Sequence, residues 1–100
     1  MASETLTVPV GRYYQLSLIA YSPLGWPDFQ MLFNYFTSGV YEGGYYPAAF
    51  DLPAGAVTRF TISDPSPSAY QEVQIIIQLE GTPAADITAY VDDVVFQGLL

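Results

Sequence analysis

DITAYVDDVVFQ, running from Asp86 to Gln97, is long, rich in β-branched residues and interrupted by one polar pair, Asp92-Asp93, with apolar residues on both sides. Valine, isoleucine and threonine at this density read as a strand. On a regular strand successive side chains alternate in direction. Ile87, Ala89, Val91, Asp93 and Val95 would then share one face, and Thr88, Tyr90, Asp92, Val94 and Phe96 the other. Each face carries one carboxylate among mostly apolar neighbours. A carboxylate is not buried alone; it needs backbone N–H donors, an arginine, a metal or an exit to water. The pair therefore marks either the point where the strand leaves the core or the anchor of a polar site.

The rest of the chain has to supply the sheets that this strand completes. Helical periodicity is nearly absent, and proline or glycine punctuates the sequence often. Strand patterns cover Glu4–Val8, Arg12–Ser22, Phe29–Thr37, Ala48–Leu52, Ala56–Ser63 and Glu72–Glu80. Within them Tyr14, Leu16, Leu18 and Ala20 alternate with more polar partners, as do Phe29, Met31, Phe33 and Tyr35. Phe60 and Ile62 point inward and Arg59 outward. Val73, Ile75, Ile77 and Leu79 share a face. SPLGWPD (Ser22–Asp28), DPSPSAYQ (Asp64–Gln71) and GTPAA (Gly81–Ala85) read as turns and connections. SGVYEGGYYP (Ser38–Pro47) reads as a loop or an irregular edge hairpin. Short strands at near-regular spacing predict an all-β, antiparallel β-sandwich of the jelly-roll type, one domain over residues 1–100. Leu16, Leu18, Phe33, Phe60, Ile75, Ile77 and Val91 are expected in its core.

Composition narrows the function classes. The chain has ten acidic residues, two arginines and no lysine, for a net charge of −8. That excludes nucleic acid and anionic membrane surfaces as partners, since both are read by cations. Histidine and cysteine are absent, so there is no Ser–His nucleophile and no thiolate metal site. Adjacent carboxylates on a strand point to opposite faces and cannot flank one scissile bond. No spacing joins Glu42, Glu72 or Asp51 into an acid–base pair. The expectation is a protein that is not an enzyme, with no catalytic residue. MASETLTVPV lacks the basic start and apolar run of a signal peptide.

Several pieces resemble the jelly-roll carbohydrate-binding modules of families 4, 9 and 22. Gly11 followed by Arg12-Tyr13-Tyr14-Gln15-Leu16-Ser17 resembles the "G-x-x-Y-x-L-S" start of one strand. Phe50-Asp51-Leu52-Pro53-Ala54-Gly55 with Val57–Ile62, and Glu72–Gly81, resemble two internal motifs. Ala89-Tyr90-Val91-Asp92-Asp93-Val94-Val95-Phe96 is similar to the closing "v-y-v-D-D-V-x-l". The resemblance implies a jelly roll, binding of polysaccharide, and a structural calcium near the final aspartates. Those modules also open with a segment that has no counterpart here. It supplies strands to both sheets and often calcium ligands. Asp92 and Asp93 are therefore weak metal candidates, with no tight calcium site expected, and the sheets are expected to have open edges.

Trp26, Tyr41, Tyr45, Tyr46 and Tyr70 fall in loops or near strand ends, where such rings either stack on sugars or meet a partner protein. The Tyr41–Tyr46 stretch, with Gly43 and Gly44, is the most site-like in the chain. The leading expectation is a non-catalytic structural or attachment protein of a larger assembly, a homo-oligomer or a copy seated on other proteins, such as a bacteriophage capsid-decoration or tail component of the virion. The alternative is a carbohydrate-binding module of a secreted glycoside hydrolase.

Overall fold

A computed structural model describes residues 3–67, 69–81 and 88–99. Eight strands make up its regular structure, with no helix among the described residues. They are β1 (Ser3–Thr7), β2 (Tyr13–Tyr21), β3 (Trp26–Thr37), β4 (Val40–Tyr45), β5 (Phe50–Leu52), β6 (Thr58–Ser63), β7 (Glu72–Leu79) and β8 (Tyr90–Leu99). One sheet has five strands in the order β1-β7-β3-β4, with β5 also paired to β3. The other has three, in the order β6-β2-β8. Every strand pair is antiparallel, and the two sheets pack into a β-sandwich. Asp86, Ile87 and most of the Gly81–Ala85 turn lie outside the described residues, as does Ser68.

Alternation builds the core as the patterns predict. Tyr14, Leu16, Leu18 and Ala20 of β2 are buried, as are Phe29, Met31, Phe33 and Tyr35 of β3 and Phe60 and Ile62 of β6. Aromatic rings tie the two sheets together across the middle. Phe60 lies 5.2 Å from Phe29 and 5.0 Å from Phe50, centroid to centroid. Phe96 meets Phe33 edge-on at 5.6 Å and stacks on Tyr14 at 5.2 Å. Offset and edge-on rings at these separations gain about 0.5–1.5 kcal/mol beyond their burial.

Three expectations need correction. Ile75 and Val91 are half-buried and pack against the margin of the core. Strand β3 begins at Trp26, inside the stretch read as a turn. Of the two readings of Ser38–Pro47, the irregular edge hairpin is the one found: Ser38 (φ 49°) and Gly39 (φ 81°) form the two-residue turn into the edge strand β4, and both positive φ values match the right-handed twist of the strands they join.

The third correction concerns the last strand, which is not regular. Asp92 pairs with Ile19 and Val95 with Ser17, so Leu18 faces two residues, Asp93 and Val94. This is a β-bulge, with Asp93 in the left-handed region at φ 52°, a conformation that aspartate tolerates better than most residues. The extra residue switches the faces. Val91 points inward before it and Phe96 after it, where regular alternation would have turned Val95 inward. Both carboxylates lie on the exposed side. The aspartates thus mark a strand bending around its polar residues, not a carboxylate held in the core.

Leu18 is fully buried, so Leu18→Ala should destabilise by about 2–5 kcal/mol in denaturant unfolding, with a loss under about 0.5 kcal/mol contradicting the packing. At the bulge, Asp93→Val should cost about 1–2 kcal/mol because a β-branched residue resists positive φ, whereas Asp93→Asn should be nearly neutral. Equal effects from the two changes would contradict the left-handed conformation.

Candidate functional site

The aromatic candidates separate into three places. Tyr41 and Tyr46 lie on the outer face of the five-stranded sheet. Asn34 and Gln74 face each other there across β3 and β7, and Asn34 Nδ2 donates to Gln74 Oε1 at 3.1 Å. Tyr46 OH donates to Asn34 Oδ1 at 2.6 Å, and the Tyr41 and Tyr46 hydroxyls share a further hydrogen bond. The result is a continuous chain from Tyr41 through Tyr46 and Asn34 to Gln74. Phe36 meets the Tyr41 ring edge-on at 5.9 Å, and Gln78 donates to Gln30 at 2.9 Å further along the same face. Gly44 is required here: a Cβ would sit 2.3 Å from the Phe33 carbonyl and 2.7 Å from the Tyr46 ring. Partial burial and the Tyr41 hydroxyl push the Tyr46 phenol up to about 12, so the Tyr46 hydroxyl stays a donor at neutral pH.

Tyr45 and Tyr70 occupy a second place. Tyr45, at the end of β4, pairs with the inward-facing Phe33, and Tyr70, in the connection before β7, packs with it half-buried against the core margin. With Tyr35 they line a groove of about 540 Å³ between the β3–β4 hairpin and the 64–70 connection. Tyr70 stacks on Tyr35 at 5.7 Å. Tyr35 OH donates to Asp64 Oδ2 at 2.6 Å, and Asp64 Oδ1 accepts the Ser66 N–H at 3.0 Å.

A second bulge supplies the opposite wall of this groove. Tyr35 pairs with Gly43 and Phe36 with Tyr41, which leaves Glu42 as the extra residue. Bulges re-aim side chains in this way, and Glu42 lines the groove together with Asp64. Gly43 makes the bend possible at φ 122°, a conformation open in practice to glycine alone.

Trp26 is the third place, at the far end of β3. Its Nε1–H donates to the Glu80 carbonyl at 2.6 Å, and it borders a shallow depression of about 400 Å³ with Leu24, Asp51 and Pro53. Glu42 and Asp51 therefore sit in different concavities, and Glu72 is engaged by the Gly39 N–H at 2.8 Å.

At the first bulge, Asp92 Oδ1 accepts the Asp93 N–H at 2.8 Å, and Asp93 approaches Arg59 at 4.0 Å. Both partners of that ion pair are more than half exposed, so it contributes little to stability. Among the described residues no group of three or more metal-ligating side chains comes together.

Sequence reading found Tyr41, Tyr46 and Glu42 but missed the roles of Asn34, Gln74 and Asp64. The available signal for the first two was an amide at an outward position of an otherwise apolar strand. Nothing local marks Asp64, which sits in a proline-limited connection and gains its role from a fold-distant tyrosine. Comparison of the chain with protein-family models, with curated proteins and with solved structures finds no match. The likeness to carbohydrate-binding modules rests on the quoted motifs and on the β-sandwich itself.

Burial first, then the Asp64 hydrogen bond, push the Tyr35 phenol well above its ordinary value of 10.0. A raised folded-state value means that this stability is complete below pH 10 and drains away above it, because the unfolded chain ionises first. Tyr35→Phe should therefore lower stability by about 1 kcal/mol at neutral pH and flatten its fall above pH 10. Unfolding curves with the same alkaline slope in both proteins would contradict this.

Proposed function

We propose that this chain is a non-catalytic attachment module, seated in a larger protein assembly through the open edge of its smaller sheet. Strand β8 carries the reading. It is ten residues long, pairs among the described residues only with β2, and exposes Tyr90, Val94, Val95 and Leu99. The other edge strands are shorter, and β6 shows a polar outward face with Arg59 and Thr61.

The breadth of the two sheets supports the same reading. The contacts of Phe60 with Phe29 and Phe50 set β6 over β3 and β5. Phe96 of β8, on the other side of β2, reaches Phe33 of β3. Leu6 of β1 and Ile75 of β7 remain half-buried in the five-stranded sheet. An extended segment laid beside β8 would use its free N–H and C=O groups and cover this apolar margin. It would also give the smaller sheet a fourth strand, as in a complete eight-stranded jelly roll. The bulge and the two aspartates guard the edge against unselective pairing. A charge of −8 keeps free copies apart until a complementary surface receives them. A virion surface, as a capsid-decoration or tail component, is the assembly that fits best.

Sedimentation and thermal melting of the chain test this. The expected result is association, or capture by its assembly partner, with a melting point that rises with concentration. The interface should bury on the order of 1,200–2,000 Å² in total. Val95→Lys should abolish association without unfolding the monomer. A monomer at every concentration, with a constant melting point and no partner captured at β8, would defeat the proposal.

The outer face of the five-stranded sheet favours a second reading, a saccharide platform. Tyr41 and Tyr46 sit there beside the Asn34 and Gln74 amides, with the Tyr46 ring held by its hydrogen bond to Asn34. Rings and planar amides fixed on a flat face suit a sugar chain. Under this reading, migration through gels containing soluble polysaccharide is retarded, and Tyr46→Ala removes the retardation. Unchanged migration across a panel of polysaccharides would exclude it.

A further inference from the structure

We infer that the groove between the β3–β4 hairpin and the 64–70 connection receives a cationic side chain, the guanidinium of an arginine, from a basic segment of a protein partner. Three tyrosine rings and two carboxylates, Glu42 and Asp64, face one concavity. Aromatic faces attract cations through their quadrupole, and a carboxylate beside them adds a charge-assisted hydrogen bond. The same pairing of groups repels an anionic ligand.

Among the described residues, no cationic side chain lines the groove. The chain's two cations are Arg12 and Arg59, and neither lines the groove. Arg59 approaches Asp93 on the other sheet and donates to Ser17 at 3.0 Å. Arg12 lies against Gly98. The sequence has no lysine, so a cationic side chain for Glu42 and Asp64 is one that a partner brings.

The groove is also built for this arrangement. The bulge at Glu42, made possible by Gly43, turns a carboxylate into the concavity that regular pairing would have placed elsewhere on the strand. Asp64 is oriented by the Tyr35 hydroxyl and the Ser66 N–H, one on each oxygen, and each oxygen keeps a lone pair for a further donor. The phenol of Tyr35, pushed up by burial and by Asp64, remains a donor. A planar guanidinium matches such a site better than an ammonium, because it can stack on a ring and donate to a carboxylate at once. The volume of about 540 Å³ leaves room for the peptide that carries it. No groove-lining residue belongs to β8, so this inference is independent of the docking edge proposed above.

Amide chemical shifts of the ¹⁵N-labelled chain, titrated with N-acetyl-arginine amide, provide the test. N-acetyl-citrulline amide serves as a neutral control of the same shape. The expected result is a saturable shift of the Gly43, Gly44, Ala69 and Tyr70 amides with the arginine compound alone. Asp64→Asn keeps an acceptor for Tyr35 and should weaken the response on the order of tenfold, as should Glu42→Gln. Preserved dispersion of the remaining amides shows that both variants fold. Equal shifts from citrulline, or equally strong shifts at Asp28 and Asp51, would reduce the effect to shape or general screening and overturn the inference. So would no shift at all. Shifts at these amides produced by a soluble oligosaccharide, or by raising the protein concentration alone, would assign the groove to a sugar or to a second copy and overturn it equally.

Discussion

Leu18 faces two residues of β8 where regular pairing would give it one, and the architecture of the smaller sheet depends on that mismatch. Without the extra residue, the strand would turn Asp93 toward the buried Leu18. A carboxylate there would have no partner and would cost several kcal/mol to desolvate. The bulge removes the conflict by holding Asp93 in a left-handed conformation on the exposed side. It also resets the alternation, so that Phe96 turns inward to meet Phe33 and Tyr14. One irregular residue thus joins the two sheets through aromatic packing and moves two charges into water.

Much of this fold was legible in the sequence because alternation with period two leaves a direct trace. The inward residues of β2, β3 and β6 can be picked out by parity alone, since each of these strands keeps one face in the core. The last strand could not be read this way. A bulge adds one residue without changing composition, and its location depends on which neighbour the strand meets, here the buried Leu18. Aspartate's tolerance of positive φ was a clue, but the same pair equally suited a metal site. At Ser38–Pro47 the sequence left a loop and an irregular edge hairpin both open, because glycines both form tight turns and loosen loops.

The candidate site was legible only in part. Tyr41 and Tyr46 stood out as aromatic residues among glycines, and they do lie on a surface. Tyr45, one residue away from Tyr46, faces the core margin, because the strand alternates through it. Asn34 and Gln74 are 40 residues apart, and Tyr35 and Asp64 are 29 apart. Such pairs are made by sheet register and by the path of a connection, which no local pattern encodes. The molecule therefore offers three distinct surfaces: a tyrosine–amide face, an acidic aromatic groove, and an apolar strand edge. Their shared background is a strongly negative chain, which favours basic partners over neutral or acidic ones.

Hydrogen exchange along β8, followed residue by residue, tests most directly the claim that the smaller sheet has an edge awaiting a partner. In the dilute chain, amides bonded to β2 should be protected and the alternate, outward-facing ones should exchange rapidly. On assembly, the outward-facing set should become protected while the β2-facing set changes little. Uniform protection along β8 in the dilute chain, or outward amides still fast in the assembled state, would contradict the account.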